Sequence, residues 1–226
     1  MHIEPEVVTG AKLFLSYATA AGAFGLTAKL ALDSVRSNGG AAALALRSLL
    51  TTALVFCFFE VLPHHPVGVS EVHLILGSTL LLLFGAGATA IGLALGLLLQ
   101  GLLFAQFDLP QYGMNVTTLL VPLWAISVLA KRIIAPGTAY VDLSYKQALA
   151  LSTAYQGGIV AWVGFWAFYG NGFSGENLAA VGSFGLAYMS VILIEPLVDL
   201  GVLAAAKALS AYSRGPLFNA RLHQPA

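Results

Sequence analysis

Runs of about twenty apolar residues recur along the chain, each closed by a few polar or glycine positions. A helix needs about 20 mostly apolar residues to cross the hydrocarbon core of a bilayer. Six stretches qualify, at 10–32, 41–62, 88–106, 116–134, 146–170 and 180–208. A shorter apolar stretch, His73 to Phe84, ends at Gly85-Ala86-Gly87. The run from His73 to Gln106 is too long for one crossing and too short for two full ones. It reads as a short helix followed by a full one, broken at the glycines. The pattern predicts an all-α integral membrane protein, a bundle of seven transmembrane helices with a short third one. The alternative is one long tilted helix there, and six in all.

The placement of basic residues separates these two readings, because cytoplasmic loops collect Lys and Arg. Lys29, Arg36 and Arg47 flank the first connection, Lys131, Arg132 and Lys146 the 5–6 connection, and Lys207, Arg214 and Arg221 the C-terminal segment. The N-terminus before Lys12 and the 2–3, 4–5 and 6–7 loops hold none. With seven helices the charged loops alternate strictly, N-terminus outside and C-terminus in the cytoplasm. With six, the later basic loops fall outside. Residues 1–212 therefore form one transmembrane domain, and 213–226 a short cytoplasmic tail expected to fray.

Composition removes other possibilities. Hydrophobic residues make up 58% of the 226 positions and charged residues 9%, against about 25% charged in a soluble domain. A chain this apolar cannot cover a water-facing surface, so its solvent is lipid, and the expected location is the inner (plasma) membrane. Ten Lys and Arg balance ten Asp and Glu, so net charge indicates no partner. The lone Cys57 excludes an internal disulfide and a cysteine-based zinc site. No glycine-rich phosphate loop, no hydrolytic Ser-His-acid arrangement and no nucleic-acid patch is present, so the chain is not expected to be an enzyme. The acidic start (Glu4, Glu6) does not fit a cleavable signal peptide, and the expected N-terminus is Met1 itself.

Chemistry concentrates on one side. His2, His64, His65 and His73 all fall at or beyond the outer boundary set by the charges; His223 lies on the inner tail. A free amine at Met1, the amide nitrogen of His2 and its imidazole can bind one metal together. The amine and deprotonated amide close a five-membered ring, and the amide and Nδ1 a six-membered one. Three nitrogens in a plane leave one position open, a geometry suited to Ni(II) or Cu(II), while imidazole also accepts Co(II). His2 alone reads more readily as an ordinary polar residue at a start site. The segment Leu62-Pro63-His64-His65-Pro66-Val67-Gly68-Val69-Ser70-Glu71-Val72-His73 adds histidines on the same face from a proline-stiffened turn.

Met1-His2-Ile3, His65-Pro66-Val67-Gly68, and Val72-His73-Leu74 followed by Gly77 resemble the cobalt/nickel substrate-binding membrane subunit of energy-coupling factor transporters, the CbiM/NikM family. Gln100-Gly101-Leu102-Leu103-Phe104 resembles that family's Gln-Ala-Leu-Leu-Phe stretch, and Gly113-Met114-Asn115 its Leu-Gly-Ala-Asn segment. The likeness runs in order over residues 1–125. It implies a seven-helix bundle that captures Ni(II) or Co(II) as transported substrate, with no prosthetic group. It also implies a transmembrane coupling subunit and cytoplasmic ABC ATPases as partners. The implied ligands are Met1 and His2 plus one later histidine. His73 matches the nickel-type position and His65 the His-Pro-Thr-Gly of cobalt-type members, and His73 is favoured because it would sit on a helix end. Asn115 and Ser70 match positions that would support the ligands from outside. The sequence departs from the pattern at Glu4-Pro5-Glu6 and at Phe107-Asp108-Leu109-Pro110-Gln111.

Two other functions compete with this one. A stand-alone nickel or cobalt permease would place His and acidic ligands inside its helices, and a haem-binding anchor would need histidines facing across a pocket. Neither suits histidines gathered at the outer rim. Glu195 and Asp199, one turn apart in the last apolar stretch, read as a structural pairing or a partner contact.

Overall fold

The computed structural model describes residues 3–224. The long helices are α1 (Leu13–Ser37), α2 (Gly40–Glu60), α4 (Ala86–Leu103), α5 (Tyr112–Ile133) and α6 (Tyr145–Asn171), with α3 (Gly77–Phe84) as the short one. Then come α7 (Gly175–Met189) and α8 (Glu195–Ala208), and a hairpin of β1 (His65–Val67) and β2 (Ser70–Val72). Among the described residues, six helical segments are long and apolar enough to cross a membrane, with α7 and α8 counted as one; α3 is not among them. The protein is an all-α membrane bundle, as the apolar periodicity predicts. Large side chains such as Phe14, Leu49 and Leu186 face outward, which is tolerable only against lipid.

Several boundaries differ from the sequence reading. The short helix starts at Gly77 rather than His73, because Ser70–Val72 is taken up by pairing with β1. His73 therefore lies in an extended link, not on a helix end. The stretch 180–208 is not one helix. A 3-10 turn, Ser190–Leu193, interrupts it, and α8 restarts with Pro196 in its first turn, where proline's missing N–H costs nothing. Residues 106–111 form a 3-10 helix rather than a loop, so α5 begins at Tyr112 and carries Asn115 in its first turn.

Small residues let the helices approach. A Cβ on Gly92 would stand 2.3 Å from Thr51 Oγ1, and one on Gly96 2.6 Å from Val55 Cγ1. Four-residue spacing thus gives α4 a smooth face against α2, the arrangement that drives association where no hydrophobic effect operates. Thr51 Oγ1 donates to Ala88 O at 2.8 Å across this seam.

The two ends of the bundle differ in what they gather. One end holds Asn38, Gly85 and residues 214–224, which pack against the bundle. Asn219 N–H donates to Leu83 O at 2.7 Å, Phe218 stacks on Phe84, and Leu222 is fully buried. Arg47, buried in α2, is satisfied by the carbonyls of Ala43, Asn38 and Phe218. Polar residues in the tail found backbone partners that a reading of composition could not see. The opposite end holds the residue 3–8 segment, the hairpin and the start of α5.

Candidate metal centre

The N-terminal segment is held by partners from four elements. Ile3, fully buried, donates its backbone N–H to Asn115 Oδ1 at 2.9 Å and forms an antiparallel bridge with Ser70. Glu4 N–H donates to Val69 O at 3.3 Å, and Gln111 Nε2 donates to Pro5 O at 3.3 Å. Lys12 Nζ donates to Gly170 O at 2.8 Å. Gly170 is also where the segment lies closest to α6: a Cβ there would fall 1.7 Å from Val7 O.

The hairpin is seated just as closely. Gly68 turns it with φ +62°, a region that disfavours side chains, and a Cβ there would meet Ala180 O of α7 at 2.1 Å. The register pairs His65 with Val72 and Val67 with Ser70. Together the turn and the α7 contact fix the direction in which β2 delivers His73 into the bundle.

His73 is 1% exposed. Its Nε2 contacts Glu71 Oε2 at 3.0 Å. With the carboxylate accepting the Nε2 proton, the ring is held as the tautomer whose lone pair is on Nδ1, the arrangement found where a carboxylate orients a metal-ligating histidine. The His64 ring stacks on it at 4.8 Å and 15°, and Phe59 meets it edge-on at 5.1 Å.

The sequence-predicted residues fall as follows. His73, Ser70 and Asn115 are buried at one end of the bundle, and the last two both contact Ile3. His65 is exposed on β1. Met1 and His2 lie outside the described residues. Among the described residues no group of three or more His, Cys, Asp or Glu is arranged to hold a metal ion. Glu71 was missed. Residues two apart in extended chain share a face and Glu71 precedes His73 by two, but that signal appears only once the segment is known to be extended. His64, not His65, neighbours His73.

The surroundings are acidic. Burial pushes the Glu4 carboxyl above its ordinary value, and the charges of Glu71, Asp108 and Glu6 add to the effect. A divalent cation at this end would relieve that repulsion.

Comparison with known families bears on this arrangement. A family model described as cobalt uptake substrate-specific transmembrane region matches residues 2–211, and no curated protein and no solved structure matches. Nearly the whole bundle is thus accounted for by one transport family, and the chain belongs to it: the CbiM family of cobalt uptake transmembrane proteins.

Proposed function

We propose that this protein is the substrate-capturing membrane subunit of an ATP-driven importer, taking up Co(II) or Ni(II). The ligands are the Met1 amine, the His2 amide nitrogen, the His2 imidazole and His73 Nδ1. Asn115, Ser70 and Glu71 hold these donors in position. One observation carries the reading: Ile3, the residue after His2, is pinned to Asn115 and bridged to Ser70. The bridge is antiparallel, which sets Ile3 beside the strand that leads to His73. The burial of His73 and its Glu71 contact favour it over the exposed His65 as fourth ligand.

The deciding experiment is a titration of Co(II) and Ni(II) into the protein beginning at Met1, an N-terminally extended form, His2→Ala, His65→Ala and His73→Ala. Extension by one residue turns the amine into an amide and removes the first chelate ring. His2→Ala removes the second. Each should cost more than the 10–100-fold typical of losing an outer-sphere group, and His65→Ala should cost little. Undiminished binding by the extended form rejects the N-terminal chelate. Loss in His65→Ala but not in His73→Ala rejects the choice of fourth ligand.

Seven crossings, with α3 and its preceding extended link as the third, place the N-terminus outside and Lys131, Arg132 and Arg221 in the cytoplasm. In a background carrying Cys57→Ser, cysteines in the hairpin should label from outside and those at 135–139 only from inside. Labelling of both from one side rejects seven crossings. The chain carries no nucleotide motif, so uptake depends on a second membrane subunit and cytoplasmic ATPases in the plasma membrane. ATP-dependent uptake by this chain alone in liposomes would rule that dependence out.

A further inference from the structure

A second polar centre lies in the bundle interior, among α3, α6 and α8. Glu195 and Asp199 are both fully buried. Ser78 Oγ lies 3.1 Å from Glu195 Oε1 and 2.8 Å from Asp199 Oδ2. Thr79 Oγ1 donates to Asp199 Oδ1. Ser152 Oγ donates to Glu195 Oε2 at 2.6 Å, and Gln156 Nε2 donates to the same oxygen. None of these residues takes part in the metal centre described above.

Three observations concern the charge of this pair. First, among the described residues no Lys, Arg or His pairs with either acid: the ion pairs are Lys29–Asp33, His73–Glu71 and Lys207–Asp142, and Arg47 is satisfied by carbonyls. Two like charges one helical turn apart, buried and without a cation, are not sustainable together. Second, the Ser78 hydroxyl has one hydrogen but contacts both carboxyl groups. It can donate to one; the other contact needs a hydrogen borne by the carboxyl itself. Third, buried polar atoms of α6 beside the pair stand without partners. Gln156 Oε1, on the amide whose nitrogen reaches Glu195, has no hydrogen-bond partner, and neither has the hydroxyl of Tyr155, whose ring packs on Gly77 at the start of α3. The two contacts of Ser78 are one hydrogen short, and the unpaired Tyr155 hydroxyl does not supply it.

We propose that Glu195, Asp199 and Ser78 form a buried proton-binding site, in which one proton is shared between the two carboxyl groups through the serine hydroxyl. The proton sits on one carboxyl oxygen and is donated to Ser78 Oγ, whose own hydrogen is donated to the other carboxylate. Release gives a second carboxylate and a proton taken by water. Among the described residues no group of three or more His, Cys, Asp or Glu is arranged to hold a metal ion, and the pair offers two carboxyl groups only. The groups facing the pair from packed elements are Ser152, Gln156 and Tyr155 of α6, Tyr188 of α7, and Ser78 and Thr79 of α3. Its structural effect is to clamp the start of α3 to α8, and α3 follows His73 by three intervening residues.

The test is infrared spectroscopy of the protein in lipid nanodiscs at neutral pH, in H2O and D2O, with sodium or choline as the buffer cation. The native protein should show the carbonyl stretch of a neutral carboxylic acid, shifted by deuteration. Glu195→Gln/Asp199→Asn should lose it, and Ser78→Ala should move it. A native spectrum without the band overturns the proposal, since both acids are then ionised. So does a band that survives the double substitution, which would belong to another acid. A band present in choline and absent in sodium would also overturn it, in favour of a cation site. Should the double variant fail to fold, Asp199→Asn and Glu195→Gln are read singly: a native band left unchanged by both rejects the site.

Discussion

Asn115 Oδ1 accepts the backbone N–H of Ile3 at 2.9 Å, joining residues 112 positions apart in sequence. The bond is buried and belongs to no regular ladder. Ile3 could have met its backbone needs in water; instead it is drawn under the start of α5. A side-chain amide suits this task, because it accepts a strong hydrogen bond without bringing a charge into a partly apolar site.

Asn115→Ala leaves that N–H buried and unsatisfied, at a cost of about 1–3 kcal/mol. The effect should fall on the N-terminal segment rather than on the bundle. Metal affinity should drop by about 10–100-fold, as for other groups that act through a ligand. Calorimetric titration of Co(II) checks this; affinity within a factor of two of the native value would mean that Ile3 does not position the ligands.

The bundle was legible because its code is simple. Twenty-residue apolar runs closed by polar positions mark helices, and the break near Gly85 was visible as a glycine cluster. The hairpin was not legible. Residues 65–72 were read as a stiff turn, since three-residue strands carry too little alternation to register. That hid the start of α3, the strand-face partnership of Glu71 with His73, and the stacking of His64 on His73. The cluster around Glu195 and Asp199 was half legible. The acids stood out as intramembrane charges, but Ser78, Ser152 and Gln156 lie 117, 43 and 39 residues away in sequence. No local pattern links them.

Glu71→Gln keeps an acceptor near His73 Nε2 but removes the charge that makes the imidazole a better donor to a metal. Affinity should fall by about 10–100-fold, and Glu71→Ala, which also frees the ring to turn, should fall further. Glu60→Gln, at the end of α2, serves as a control that lowers the negative charge near this end without touching His73. If Glu60→Gln costs as much as Glu71→Gln, the effect is general electrostatic attraction and not orientation.

Leu222→Ala tests whether the C-terminal segment is part of the bundle. Leu222 is fully buried, and removing a buried leucine side chain typically costs about 2–5 kcal/mol. A loose tail would register less than about 0.5 kcal/mol, the usual range for surface changes. Unfolding in mild detergent with a chemical denaturant should therefore show a clear loss of stability, while metal affinity at the far end stays unchanged. A silent substitution would return residues 214–224 to the frayed tail expected from composition.

Gly170→Ala separates docking of the N-terminal segment from the chemistry of the ligands. The new methyl group would stand 1.7 Å from Val7 O and 3.2 Å from Val8 Cγ2, so the segment has to lift away from α6. Gly170 is the next-to-last residue of α6, so its helix can absorb an alanine without losing packing elsewhere, and alanine is the better helix former. The metal-free bundle should keep its thermal stability to within a few degrees. The stabilisation gained on adding Co(II) should shrink, because a ligand stabilises the fold by RT ln(1 + [L]/Kd) and Kd rises when the donors must be pulled back into place. Comparison of melting curves with and without metal, for native protein and variant, reads this difference directly. An unchanged metal-induced shift in Gly170→Ala would mean that the segment's seat against α6 does not matter for capture, and the metal centre would then have to be sought away from residues 3–8.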